Sequence, residues 1–438
     1  MKKIFIMVLT ITLSLTLHAQ TEADAGEYQP IYQPEWDIDP LIEEDQKKPF
    51  TFARESFEFG IDVGVGFDND LIVIGDLLKR DVIIDLNAIG GNIRETGLTL
   101  NIGVGTDIFV NIKNIKISKD MWEFGFFFGV DGSVNFNIPE SLFILISEGN
   151  INQRVFDGMI SASGAIFADA GLRASSQFGK LRVGGSTSLF SPLVFIPKSG
   201  ISYYLDTEKV VVEEDGVTKV KEGVYFKPDG NISIYSPFMT ESGGFGKLNF
   251  GFDISAEGEY ALFPFLDVGG SISRIPIVPA IVEDRMLLTL EMDSIKISAD
   301  DLLSGKEIDF DFNLDFNEAY NTKEYYVLRP MRLDIHARYK PFNNNMLVIR
   351  PNMGLSVDFN NEEAFFNAGV GVQFNLKELF IASIGTDYTE SIWTHQLGLA
   401  LNLKAFELNL KAAVRSAGFV NSFQGQGFGV GVGLRFGW

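Results

Sequence analysis

The last twelve residues alternate without a break. Phe428, Val430, Val432, Leu434, Phe436 and Trp438 are interleaved with Gly427, Gly429, Gly431, Gly433, Arg435 and Gly437. Successive side chains of a strand point to opposite faces. One face of this segment is therefore wholly apolar, and the other is small or charged. The rhythm recurs along most of the chain. Phe57, Phe59, Ile61, Val63, Val65 and Phe67 oppose Glu58, Gly60, Asp62, Gly64 and Gly66. Leu98 to Ile112 present apolar residues opposite Thr99, Asn101, Asp107 and Asn111, and Trp122 to Phe136 present them opposite Glu123, Asp131, Ser133 and Asn135. Met331, Leu333, Ile335 and Tyr339 oppose Arg332, Asp334, His336, Arg338 and Lys340, while Phe406, Leu408, Leu410 and Val414 oppose Glu407, Asn409, Lys411 and Arg415.

A soluble sandwich also alternates, with its greasy face inward. Here the segments run to ten residues or more, hydrophobic residues make up 46 % of the chain and the mean hydropathy is +0.12. No segment beyond the N-terminus reads as a spanning helix. In lipid, only helices and closed barrels satisfy their backbone. The pattern thus predicts an all-β fold, a closed antiparallel transmembrane β-barrel of about 14 strands with short helical insertions. A soluble exported sandwich or propeller is the alternative.

Lys2 and Lys3 followed by the apolar run Ile4–Leu17 and a small residue at Ala19 read as a signal peptide over 1–19. The formal charge of −22 makes phosphate-backbone binding a poor prospect, so no nucleic-acid partner is expected. The absence of Cys excludes disulfides, thiol nucleophiles and an N-terminal lipidated Cys. Residues 20–55 are acidic and bear prolines, and read as a periplasmic tail or an inward plug; 56–438 is then the barrel. Within it, 70–95 breaks the alternation and reads as a helical insertion able to plug the lumen, and Pro139 to Glu148 is a second helix candidate. Strands are expected at 56–67, 97–113, 121–137, 155–175, 179–190, 245–262 and 266–275. The late ones fall at 325–340, 346–359, 364–375, 379–390, 393–403, 405–416 and 426–438. A hairpin around Glu214-Asp215-Gly216 and ambiguous strands at 286–293 and 307–317 fill the middle.

Catalysis finds little support. Only three histidines exist, one of them inside the signal. His336 lies between Asp334 and Arg338, where ion pairing is its expected role. His395 falls on the apolar face beside Trp393, as at a membrane interface. Asp68-Asn69-Asp70 and Asn360-Asn361-Glu362-Glu363 lack the spacing of a calcium loop, and neither metal nor cofactor is expected. The polar faces instead predict a charged lumen lined by Glu58, Asp62, Asp107, Asp131, Arg332, Asp334, His336, Arg338, Arg415 and Arg435. Early strands supply mostly acids and late strands mostly bases. Opposed walls would set a transverse field; neighbouring ion pairs would fill the interior instead. Closure brings the first and last strands together, so Glu58 and Arg435 should lie close near the periplasmic rim.

The ending Gly431-Val432-Gly433-Leu434-Arg435-Phe436-Gly437-Trp438 resembles the C-terminal strand of bacterial outer-membrane barrels. This resemblance implies an outer-membrane location, contact with outer-membrane lipid, and Phe436 and Trp438 as the signal read by the barrel assembly machinery. Two further runs, Ser191-Pro192-Leu193-Val194-Phe195-Ile196-Pro197-Lys198-Ser199 and Ser273-Arg274-Ile275-Pro276-Ile277-Val278-Pro279-Ala280, resemble spirochaete barrels similar to the long-chain fatty-acid transporter (FadL-like) family. That resemblance implies passive uptake of small hydrophobic solutes through a plugged barrel, although the family's Asn-Pro-Ala motif is absent from the N-terminal segment. A general diffusion porin and a non-transporting structural barrel or adhesin are the competing expectations.

Overall fold

The structure is a computed structural model. It describes residues 56–69, 97–117, 120–141, 155–206, 209–214, 217–238, 248–283, 285–291, 295–298, 314–317, 324–342, 344–376, 379–389, 392–403, 405–416, 418–424 and 426–438. The segments 1–19, 20–55 and 70–95, and all but the first residues of the 139–148 helix candidate, lie outside the described residues.

Fourteen positions form the wall. The first five are β1 (Phe57–Asn69), β2 (Leu98–Ile117), β3 (Asp120–Ile138), β4 (Val155–Phe178) and β5 (Leu181–Asp206). Next come the short β6 (Lys209–Glu214), β7 (Val217–Tyr235) and β8 (Gly251–Phe263). β7 and β8 share one wall position: β7 pairs with the upper part of β5 and β8 with its lower part. β6 only completes a hairpin with β7. β9 (Leu266–Val278) follows, then five short strands: β10 (Ala280–Val282), β11 (Arg285–Glu291), β12 (Ile295–Ser298), β13 (Leu314–Asn317) and β14 (Tyr325–Val327). Seven regular strands complete the ring: β15 (Met331–Tyr339), β16 (Leu347–Asp358), β17 (Glu363–Leu376), β18 (Phe380–Thr389), β19 (Ile392–Leu403), β20 (Phe406–Ser416) and β21 (Gly427–Gly437).

β1 and β21 close the cylinder. They pair antiparallel over ten positions, from Glu58 opposite Gly437 to Phe67 opposite Phe428. The amides of Ser56 and Phe57 both donate to the Trp438 carbonyl, and the Phe57 and Trp438 rings stack at 4.6 Å. This end of the barrel is the near rim; the opposite end is the far rim. No edge is left unpaired at the seam, which is what a sheet in lipid requires.

Burial runs opposite to that of a soluble protein. Leu172, Ile384 and Leu397 are more than half exposed, while Glu407 and Asn402 are essentially inaccessible. Apolar side chains look outward and polar ones inward, so the soluble sandwich is set aside. Among the described residues helical backbone is confined to 140–141 and the 3₁₀ turn Asn421–Gln424.

The strand read at 245–262 begins only at Gly251, and two others differ more. The strand read at 179–190 continues to Asp206. The strand read at 325–340 is broken at 328–330: β14 pairs with β10, away from the wall, and only β15 belongs to the wall. Pro330, which has no N–H to give to a ladder, falls in this break.

The wall is also uneven. β2 to β5 run 20, 19, 24 and 26 residues, against 9 to 14 for β15 to β21. A span needs about 9–11 residues, so the early strands extend well past the height the late ones share. Bulges concentrate there. The β4–β5 ladder shifts at Ala162/Gly164 and Ile166/Phe167, and the β5–β7 ladder at Phe195/Gly200. Gly132 and Gly164 hold φ of 150° and 141° in contact with the neighbouring backbone, a conformation and an approach that a Cβ would block.

Candidate functional site

Near the rim where the seam closes, Arg435 lies within 4.0 Å of Glu58, 3.9 Å of Asp62 and 3.9 Å of Glu407. The expected approach of Glu58 to Arg435 is thus met. Lys113 reaches Glu58 at 2.5 Å. Phe109 lies on the interior between two guanidinium groups, Arg173 at 5.0 Å and Arg435 at 5.6 Å from its ring. Gly60 gives that ring room, because a Cβ there would strike it.

Around the regular strands, Arg415 contacts Asp68 at 3.4 Å and donates to Thr394 Oγ1 at 3.2 Å. Arg338 meets Glu259 at 3.3 Å, and His336 meets the same carboxylate at 3.7 Å. Lys340 pairs with Asp267 at 2.9 Å. Asp334 is buried between β9 and β16. These contacts join strands that are neighbours or nearly so, which is the ion-pair arrangement rather than two bare walls of opposite charge. Asp107, Asp131 and Arg332 lie higher and line one interior cavity.

Phe436 is exposed on the outer face and packs at 5.2 Å on Phe406; Trp438 packs on Phe57. His395 is also outward, stacked at 4.1 Å on Phe423 and edge-on to Phe419, with Trp393 beside it.

Sequence reasoning missed the centre of the lumen. Arg329, in the break between β14 and β15, is 3 % exposed. Its guanidinium donates to Asp253 Oδ2 at 2.8 Å and Oδ1 at 3.1 Å, to Asp169 Oδ2 at 2.6 Å and to Ser188 Oγ at 2.6 Å. Asp131 is 3.8 Å away and is held by Arg274 at 2.6 Å. Burial alone would lower the Arg329 pKa, but the carboxylates of Asp169, Asp253 and Asp131 outweigh it and hold the value above the ordinary one. The charge is kept.

The distances matter because of where these residues start. Five strand steps separate β15 from β3, roughly 24 Å along the wall at about 4.8 Å per step. An arginine cannot reach that far, so the segment carrying it has left the wall and crosses the interior. Asn360, in the β16–β17 turn, holds the same segment by its main chain. Its Nδ2 donates to the Leu328 carbonyl at 2.6 Å and its Oδ1 accepts from the Leu328 amide at 2.9 Å.

A second bridge crosses higher up. In the β5 bulge, the Lys198 amide donates to Asn361 Oδ1 at 3.2 Å and its ammonium pairs with Glu363 at 2.6 Å. β5 and β17 are also five steps apart around the wall, so upper β5 leans over the mouth.

Between these bridges lies an apolar cluster inside the barrel. Phe167, Phe190, Phe195, Tyr235, Ala280, Val282 and Val327 are buried together, with Tyr325 against them. Phe190 and Phe167 meet edge-on at 5.8 Å, and Arg329 sits 5.1 Å from the Phe190 ring. β10 and β14 press this cluster onto the inner faces of β4 and β5. Below it, two charged cavities of about 410 and 130 Å³ share Arg182 and Glu257. The larger is walled by Asp107, Asp131, Arg173, Arg274 and Arg332, and the smaller by His336, Arg338, Arg350, Gln373 and Asp387.

These features define a class: a closed fourteen-stranded β-barrel with an apolar exterior, a charged interior and a far mouth crossed by its own chain. No protein-family model and no curated protein matches the sequence. Among solved structures, the chain is similar to the toluene transporter TbuX of Ralstonia pickettii, at 9 % identity and a TM-score of 0.45 over 88 % of this chain and 90 % of that one. It is similar to the P. putida toluene transporter TodX at 10 % identity and a TM-score of 0.45, over 88 % and 91 %. A Pseudomonas aeruginosa FadL homologue gives 7 % identity and 0.45, over 87 % and 90 %.

Proposed function

We propose that this chain is an outer-membrane barrel for passive uptake of small hydrophobic molecules. In this reading residues 1–19 direct export, 20–55 lie on the periplasmic side, and the near rim faces the periplasm. Phe436 and Trp438 serve the barrel assembly machinery, and the outward face of the strands meets outer-membrane lipid. Glu58, Asp62, Asp107, Asp131, Arg332, Asp334, His336, Arg338, Arg415 and Arg435 line the route.

One observation carries the reading: phenylalanine and tyrosine rings gather inside the barrel, beneath a bridged mouth and above a charged waist. The interior of an open porin is polar and water-filled. The rings are packed on one another in this state; once the crossing segment moves aside they would give an apolar solute a place to leave water, worth about 25 cal/mol per Å² of apolar surface covered. Movement would follow the concentration gradient.

The charged cavities below favour a second reading, diffusion of polar solutes. Purified barrel in liposomes separates the two. Uptake of a radiolabelled fatty acid without swelling in sugar solutions is the expected result. Swelling without fatty-acid uptake would favour the porin, and neither would leave a structural barrel.

A further inference from the structure

We propose that Arg329 is a latch: its ion pairs hold the 328–330 tip of the crossing segment over the waist, and releasing them opens the passage. The inference rests on the reading of the lumen as a route, and goes beyond it by naming the part that closes it.

Three observations converge. First, the segment's place is set by side chains, not by the wall ladder. β14 pairs only with β10, and the three residues before β15 have no strand partner. Second, the hydrogen bonds of its tip, Arg329, all go to other strands: Asp169 on β4, Ser188 on β5 and Asp253 on β8. Such contacts can be exchanged for water without unfolding the wall. Tyr325 and Val327 stay packed in the aromatic cluster behind this tip, so release of the ion pairs frees residues 328–330. Third, the point of contact is the waist between the aromatic cluster and the larger cavity, since Arg329 touches Phe190 on one side while Asp131 and Asp169 line the cavity on the other. A segment held there separates the two compartments, and one withdrawn joins them.

The charge at the waist makes the opened state recognisable. With the latch closed, Asp131, Asp169 and Asp253 face Arg274, Arg329 and Arg332. Removing the Arg329 charge leaves an excess of carboxylate on the passage, so the opened pore should prefer cations.

The test uses the full mature barrel in planar bilayers, with Arg329→Ala beside the wild type and folding checked by heat-modifiable migration. The expected result is several-fold higher mean conductance and a reversal potential shifted towards the cation in asymmetric KCl. Should Arg329→Ala not fold, Arg329→Gln carries the comparison, since it keeps side-chain bulk and a hydrogen-bonding end but removes the charge. Unchanged conductance and selectivity in the folded variant overturns the latch. A cation-selective variant that takes up no fatty acid keeps the latch and removes the uptake reading. Fatty-acid uptake equal in wild type and variant, with no conductance change, does the reverse.

Discussion

The seven strands from β15 to β21 and the wall from β3 to β9 are built from the same alternating code, yet they behave differently. The late wall has unbroken registers: twelve consecutive pairs join β16 to β17 and eleven join β19 to β20. The early wall is interrupted by shifts in β4–β5, β5–β7 and β8–β9 and by left-handed backbone at Arg274. Among the described residues each crossing has one end on the interrupted wall, Lys198 in β5 and the partners of Arg329 in β4, β5 and β8, and is tied at the other to the β16–β17 turn. Strict alternation makes a container, and its lapses let a strand leave the cylinder and enter the space it encloses. The two regions should therefore respond differently to mutation, one by losing the barrel and the other by losing the obstruction.

The largest effects test whether each region keeps its stability where this contrast puts it. Arg435 belongs to the seam and faces Glu58, Asp62 and Glu407, all nearly inaccessible. Arg435→Ala leaves three carboxylates without that counter-charge and should cost about 3–5 kcal/mol of barrel stability, read from urea titration in lipid vesicles. Phe190, inaccessible within the aromatic cluster, should cost a similar 3–5 kcal/mol as alanine. Leu397→Ala should cost far less, because Leu397 is 53 % exposed on the outer face and leaves no cavity. If Leu397→Ala and Phe190→Ala were equally harmful, the two walls would not differ in packing at all. Leu397→Arg is another matter: halfway along β19 it puts a cation against lipid, at about 2–4 kcal/mol.

The regular wall is the part a reader of the sequence can see. The strand read at 346–359 is Leu347–Asp358, and 405–416 is Phe406–Ser416. One face exposed to lipid and one to the lumen imposes period two, and period two is all the pattern needs. At Leu193, Phe195 and Ile196 both faces are covered, so the code has no alternation to write and the strand read from the sequence ends at 190. Arg329 was hidden for the opposite reason. It sits at the head of an alternating stretch that begins at Met331, and looked like one more wall residue. Pro330 was the available signal, since it has no N–H for a ladder, but Pro351 inside β16 shows that proline alone does not end a strand. Arg173 and Arg182 break the expected acidity of the early wall, and reach Asn111 and Glu123. The plug expected at 70–95 lies outside the described residues, whereas the obstruction seen comes from β5 and from 324–330.

Glycine gives a finer comparison. Gly164 has a φ of 141° and its missing Cβ would meet the Ser133 carbonyl, while Gly371 in the regular wall has open space beside it. Gly164→Ala should cost about 1–3 kcal/mol through backbone strain, and Gly371→Ala should be nearly neutral. Thermal unfolding of the two variants side by side decides this. Equal losses would mean that the bulged wall needs no special backbone, and the link between its irregularity and the crossing segments would fall.

The smallest effect should come from Asn360, and it sharpens the comparison most. Asn360 stands at the tip of the regular β16–β17 hairpin but spends its amide on Leu328, in the crossing segment. It also donates its own main-chain and side-chain N–H to Asp358. Asn360→Ala removes both bonds to Leu328 at a net cost of about 1–3 kcal/mol, at roughly 0.5–1.5 kcal/mol each. Because that cost falls on the segment and not on the ladder, global unfolding should shift little, while hydrogen exchange at the Leu328 amide rises. Exchange is the readout because it reports local opening that a melting curve averages away. A lowered unfolding midpoint with unchanged protection at Leu328 would mean that the hairpin, not the segment, depends on Asn360, and that the two regions are one cooperative unit.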